Sequence, residues 1–131
     1  MRTLVVDASA LGALVFGEPQ AEEMSRVLTD ATLVAPALLW FEMAAIAIKK
    51  IRTHKQLTAQ IQTALNLALQ LPIIVRDVDY GETVNLALAS DLTTYDASYL
   101  WLAGHLDAEL VTLDAKLRKA AEGRMPLKRN N

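Results

Sequence analysis

Four carboxylates stand at positions where a folded chain could use them for chemistry. Asp7 and Asp114 each follow a short apolar run directly and precede a helical pattern. Asp96 lies in the first turn of another predicted helix, and Glu42 is the only ionisable side chain between residues 36 and 48. A carboxylate among apolar neighbours has to be neutral, paired or bound to a cation, because an isolated buried charge is too costly. These acids therefore indicate a shared polar site.

A group of close carboxylates favours metal chemistry. Two unit charges about 4 Å apart repel by roughly 4 kcal/mol at an effective dielectric constant of 20, so such a group stays ionised only beside cations. Ligand sets made only of oxygen suit Mg²⁺ or Mn²⁺. These ions can lower the pKa of a water molecule and align it for attack on a phosphodiester, so the protein needs no nucleophile of its own.

Each acid also has a purely structural interpretation. An aspartate at the start of a helix can cap it and complement its dipole, which alone would account for Asp7, Asp96 or Asp114. Glu42 could pair with a buried arginine or lie at the edge of the apolar stripe. Three acids at one sheet edge together with Glu42 are harder to explain in that way, so we predict a common metal site.

Alternating strand and helix signals would position these acids. Apolar strands are predicted at residues 3–6, 32–35, 73–75 and 110–113, with a fifth edge strand at 125–128. Helices are predicted between them, near residues 8–16, 19–29, 36–52, 58–70, 80–90, 94–106 and 115–121. Strands that are apolar throughout indicate a parallel sheet covered on both faces. The predicted class is a three-layer α/β/α fold with a central parallel sheet of four to five short strands, in one domain spanning residues 1–131.

Composition limits the class of protein. The chain has 131 residues, no cysteine and a formal net charge of −2. The lack of cysteine excludes disulfides, thiolate zinc sites and a cysteine nucleophile, and the net charge argues against a protein that coats nucleic acid by bulk electrostatics. Asp7 breaks the first apolar run too early for a signal peptide, and no apolar stretch reaches the roughly 20 residues of a membrane span. We therefore expect a cytoplasmic protein outside the membrane.

Four segments in this order resemble the PIN-domain family, and within it the VapC-type toxins of type II toxin–antitoxin pairs. The first runs from Val5 to Leu11 as VVDASAL, and the second is the helix that carries Glu42. The third runs from Thr94 to Leu100 as TYDASYL, and the fourth is VTLD, which ends at Asp114. The resemblance covers nearly the whole chain, including the helical hairpin after the first strand.

The resemblance implies a Mg²⁺- or Mn²⁺-dependent endoribonuclease. The four acids would form the metal site, with the positions of Asp7 and Asp96 as the usual direct ligands. Residues matching Ser9 and Thr112 would support the site by hydrogen bonding. Some members carry a further acid where this chain has Lys116, so a fifth acidic ligand is in doubt. The resemblance also implies RNA as substrate, a homodimer, and inhibition by a small cognate antitoxin protein.

Two functions from other classes stay open at this point. The PIN fold could serve as a catalytically inactive RNA- or protein-binding scaffold, although a degenerate site would be expected to have lost one of its acids. A phosphoacceptor receiver domain also clusters acids at the end of its first strand. It needs paired acids there, however, and Asp7-Ala8-Ser9 lacks the pair.

Overall fold

A parallel sheet forms the centre of the protein. The computed structural model describes the backbone of residues 1–129 and the side chains of residues 1–123. Within this part of the chain the strands are β1 (Arg2–Val6), β2 (Ala31–Ala35), β3 (Ile74–Val75) and β4 (Glu109–Val111), in the order β3-β2-β1-β4. All three pairings are parallel. The chain winds from β1 towards β3 on one side and then returns to place β4 on the other, so the strand order reverses between β1 and β4.

Helices cover both faces of this sheet. They are α1 (Ala8–Val15), α2 (Ala21–Leu28), α3 (Leu38–Thr53), α4 (Thr58–Ala68), α5 (Tyr80–Ser90), α6 (Thr94–Leu106) and α7 (Ala115–Arg129), with a short 3-10 turn at Lys55–Leu57. Helix α1 contacts α2, α3 and α4, and α3 also contacts α4, while α6 packs against α5, α7 and the sheet. The predicted three-layer α/β/α fold is therefore confirmed. No helix among the described residues is long and apolar enough to cross a membrane.

The apolar runs that predicted the strands form the core. Val5 and Val6 are fully buried in the central strand, and Leu11 and Leu39 are fully buried on the helices that follow β1 and β2. Helix α1 approaches α3 closely at Gly12, where an added Cβ would lie 3.1 Å from Cδ1 of Ile46. This contact sets the position of the helix that carries Glu42 relative to the helix that follows Asp7.

Two predictions at the C-terminal end need correction. The fifth strand at residues 125–128 is wrong, because this backbone continues α7, which runs from Ala115 to Arg129. The helix begins in a segment rich in alanine, lysine, leucine and arginine, all strong helix formers, and Pro126 could not have donated to a sheet ladder. Strand β4 also ends at Val111 instead of Leu113. The backbone N–H of Leu113 is bonded to a side-chain hydroxyl instead of a neighbouring strand.

Candidate active site

Asp7 lies at the carboxyl end of the central strand and begins α1. Its Oδ1 atom accepts a hydrogen bond of 3.0 Å from the backbone N–H of Ala10, and its own N–H donates to the carbonyl of Val111 on β4. The structural interpretation of Asp7 as a helix cap is therefore correct. It is incomplete, however, because the residue is only 5% exposed and its second carboxylate oxygen takes no part in the cap.

Two hydroxyl groups hold the carboxylate of Asp7 from the other side. Ser9 Oγ donates to Oδ1 at 2.7 Å, and Thr112 Oγ1 donates to Oδ2 at 2.5 Å. Each hydroxyl has a single proton, so the 3.3 Å separation between Ser9 Oγ and Thr112 Oγ1 is a contact and not a further hydrogen bond. Oδ1 thus accepts two hydrogen bonds and Oδ2 accepts one. Oδ2 keeps a lone pair that a cation or a water molecule can use.

The same hydroxyls fix the chain that follows β4. Ser9 Oγ accepts from the N–H of Leu113 at 2.8 Å, and Thr112 Oγ1 accepts from the N–H of Asp114 at 3.0 Å. The carboxylate of Asp114 caps α7 by accepting from the N–H of Leu117 at 2.8 Å. These contacts tie the ends of β1 and β4 together where the strand order reverses, and the supporting role of Ser9 and Thr112 in a metal site stays a prediction.

Asp96 is not a helix cap. Thr93 caps α6 by accepting from the N–H of Asp96 at 3.1 Å, and the Asp96 carboxylate accepts no hydrogen bond from residues 1–123. Burial raises the pKa of Asp96, and the negative charges of Asp114 and Asp7 raise it further, while Lys116 acts in the opposite direction. Asp96 therefore faces the same space as the acids that end β1 and β4.

Glu42 on α3 has a tyrosine partner. The hydroxyl of Tyr99 donates to Glu42 Oε1 at 2.6 Å, so the alternative of a buried arginine does not apply. Burial raises the pKa of Glu42, its hydrogen bond to Tyr99 opposes this effect, and the charges of Asp96 and Asp7 add to it. Burial together with the adjacent carboxylate raises the pKa of Tyr99, which therefore stays protonated and keeps its role as a donor.

Tyr99 is a residue of the candidate site that the sequence motifs did not reveal. The residue is only 1% exposed, and its aromatic ring packs in the hydrophobic core. Its spacing was the available signal, since Tyr99 follows Asp96 by three positions on one helix and therefore lies on the same face. A buried hydroxyl on the face that carries an acid needs a polar partner.

Burial and mutual repulsion mark the acids as an unusual electrostatic group. Burial raises the pKa of Asp7 despite three opposing hydrogen bonds, and the charge of Asp114 contributes to the increase. Excess negative charge and oxygen-only donors fit a hard divalent cation. Across the side chains of residues 1–123, however, no three acids or histidines converge closely enough to hold one ion directly. Mg²⁺ commonly binds proteins through one or two carboxylates and keeps several waters, so a site for it needs no third direct acidic ligand.

Comparisons with known proteins identify the fold and the family of this chain. A family model described as the PIN domain matches residues 4–123. The curated protein "Ribonuclease VapC3" of Pyrobaculum aerophilum is 31% identical over 119 residues, which cover 87% of this chain and 91% of that protein. The crystal structure of PAE2754 from Pyrobaculum aerophilum has the same fold, with a TM-score of 0.73 and 23% identity over 99% of this chain and 98% of that one. The chain belongs to the PIN-domain family.

Proposed function

We propose that this protein is a Mg²⁺- or Mn²⁺-dependent endoribonuclease and the toxin of a toxin–antitoxin pair. The observation that carries the proposal is the carboxylate of Asp7, held by Ser9 and Thr112 at the point where the strand order reverses, with Asp96 and Asp114 around it. Ligands of open α/β sheets bind at such a switch point. Similarity to a protein named as a ribonuclease supports RNA as the substrate.

Different side chains would hold the cation and orient the water molecule. Asp7 and Asp96 would hold the ion, with Asp7 offering Oδ2, while Asp114 and Glu42 would add negative charge around it. A bound Mg²⁺ or Mn²⁺ supplies Lewis acidity that activates a water molecule and stabilises the leaving oxygen. Tyr99 fixes Glu42 through Oε1, so that the second carboxylate oxygen can accept a hydrogen bond from water.

The proposal includes partners and a compartment. As a toxin of the VapC type the protein would act on RNA in the cytoplasm, form a homodimer, and be inhibited by a small cognate antitoxin protein. The family to which the chain belongs and its similarity to a VapC protein support this part of the proposal. Co-expression with the protein encoded next to its gene, followed by co-purification and recovery of cell growth, tests the antitoxin directly.

Cleavage of a single-stranded RNA labelled at both ends tests the activity. We expect cleavage in Mg²⁺, its loss in EDTA, and its return when Mn²⁺ is added. Asp30→Asn is a matched control, because this aspartate precedes β2 at the opposite edge of the sheet and an asparagine tolerates its positive φ of 57°. Cleavage that persists in EDTA, or products that end in a 2′,3′-cyclic phosphate, would contradict attack by a metal-activated water.

Thr112 should have a measurable effect without being a ligand. Thr112→Val removes the donor to Asp7 Oδ2 and the acceptor for the N–H of Asp114, while it keeps the size of the side chain. We expect kcat/KM to fall by about 10- to 100-fold, as is typical when a group that orients a metal ligand is lost. Thr112→Ser retains the hydroxyl and should recover most of the rate. A valine variant with unchanged kcat/KM would exclude an orienting role for Thr112.

A further inference from the structure

The other half of the same sheet edge contains a cavity of about 390 Å³. It lies beyond the ends of β2 and β3, next to the starts of α3, α5 and α6, and its lining includes Pro36, Arg76, Asp77, Tyr80, Tyr95 and Ser98. The proposed metal site occupies the ends of β1 and β4. The carboxyl edge of the sheet is thus divided between a group of acids and an open cavity.

Helix α6 joins the two halves. Tyr95 lines the cavity, and the next residue, Asp96, belongs to the group of acids. Adjacent Cα atoms are about 3.8 Å apart, so a ligand held at Asp96 has its neighbouring unit within reach of the cavity. Ser98 Oγ donates to the carbonyl of Tyr95 at 2.6 Å, which fixes this turn of the helix. The cavity and the group of acids therefore occupy neighbouring positions along α6.

The lining has the chemistry of a nucleotide site. The side chains of Tyr80 and Tyr95 are 81% and 62% exposed, so their rings are open to a planar ligand. The guanidinium of Arg76 forms no ion pair with any side chain of residues 1–123, and it can pair with a phosphate. Asp77 can accept from the exocyclic amino group of a base. The cavity volume falls in the range of roughly 300–1,000 Å³ that is typical of small-ligand sites.

We propose that this cavity is a subsite for a nucleotide of single-stranded RNA adjoining the bond that is cleaved. Tyr80 and Tyr95 stack on the base, and Arg76 contacts a phosphate. The inference rests on the proposed function, because continuity with the acids is what makes RNA the occupant. Because the charges of Arg76 and Asp77 are opposite, the cavity has no strong net electrostatic field. Stacking therefore provides most of the binding free energy.

A second copy of the chain is the competing occupant. Val84 and Leu88 extend the exposed apolar surface of α5 beyond Tyr80, with exposures of 46% and 79%. The charged side chains of Arg76 and Asp77 at the cavity favour a polar ligand over an apolar interface, because burying charges against another protein is costly when they form no ion pair. The oligomeric state of the same variants, measured by light scattering, separates the two occupants.

Binding of a fluorescein-labelled single-stranded RNA of mixed sequence tests the subsite. The full-length chain carries Asp7→Asn so that the RNA stays intact. We expect Tyr80→Ala combined with Tyr95→Ala to weaken binding at least about tenfold, and Tyr80→Phe with Tyr95→Phe to restore it, because stacking requires the ring and not the hydroxyl. Arg76→Ala should reduce by about one the slope of the logarithm of the binding constant against the logarithm of the salt concentration. Phe41→Ala is the matched control, since this ring is 80% exposed but does not line the cavity.

The outcomes separate the subsite from the activity. If the alanine pair binds RNA as tightly as its parent while the wild-type protein cleaves RNA, the subsite is wrong and the proposed function stands. If the alanine pair instead converts a dimer to a monomer, the cavity is an interface between copies and the subsite is again wrong. A wild-type protein that neither binds nor cleaves RNA in Mg²⁺ overturns the proposed function itself.

Discussion

Asp7→Asn is expected to abolish RNA cleavage and, in EDTA, to make the protein more stable. We expect kcat/KM to fall at least about 1000-fold, equal to about 4 kcal/mol of transition-state stabilisation, because the substitution removes the charged oxygen that faces the proposed cation. Asparagine keeps the Oδ1 atom that caps α1 and can donate to Thr112 Oγ1. It also removes a buried charge whose pKa burial has raised, so the melting temperature without metal should increase.

The two readouts together distinguish a functional acid from a structural one. Thermal melts of Asp7→Asn and wild type in EDTA, run beside cleavage assays in Mn²⁺, give both values from one preparation. Asp30→Asn should leave the cleavage rate unchanged. A loss of activity accompanied by unfolding of Asp7→Asn in EDTA would mean that the carboxylate mainly stabilises the fold, and retained activity would remove Asp7 from the site.

Acidification should have the second large effect, on the affinity for Mn²⁺. Burial raises the pKa of Asp7, Glu42 and Asp96, so these acids take up protons at a higher pH than ordinary carboxyls. A cation must then displace the protons, and each proton displaced lowers the affinity about tenfold per pH unit. We expect a decrease of about 100-fold per pH unit where two acids are protonated. Calorimetric titration with Mn²⁺ at several pH values below about 7 measures this slope.

The metal-free protein should show the opposite trend in stability. A carboxyl whose pKa is higher in the folded state binds more protons there than in the unfolded chain, so the free energy of unfolding increases as the pH falls through that range. This contribution is full below the unfolded pKa and is lost as the pH rises through the folded one. Lys116→Ala should extend this stabilisation to higher pH, because Lys116 holds the pKa of Asp96 down.

Affinity for Mn²⁺ that stays constant on acidification would argue against these acids as ligands.

The fold could be predicted because its signals are local. Apolar runs with helical segments between them identify buried parallel strands, and β1 and β2 differ from their predicted bounds by one residue at their first ends. One wrong bound lies where contacts between distant residues determine the backbone. Strand β4 ends early because the hydroxyls of Ser9 and Thr112 bind the N–H groups of Leu113 and Asp114. The last helix runs past residue 121, where the apolar residues from Met125 onward resembled a short edge strand.

The candidate site could be predicted in part, for a topological reason. Asp7 and Asp114 follow strands that are parallel, so their side chains must share one edge of the sheet whatever the details of packing. The hydrogen bond between Tyr99 and Glu42 joins positions 57 residues apart, and no local period reveals it. The support of Asp7 by Thr112 spans 105 residues and was expected only from the family resemblance. Contacts of this kind depend on how helices pack on the sheet.

Cleavage of RNA by Asp96→Asn in Mn²⁺ tests the central claim most directly. The Asp96 carboxylate caps no helix and accepts no hydrogen bond from residues 1–123, so asparagine should leave the fold intact while it removes a charge next to Asp7 and Asp114. We predict that the variant melts at or above the wild-type temperature in EDTA and cleaves RNA at least about 1000-fold more slowly in Mn²⁺. Equal cleavage by the folded variant and the wild type would contradict a carboxylate metal site in this protein.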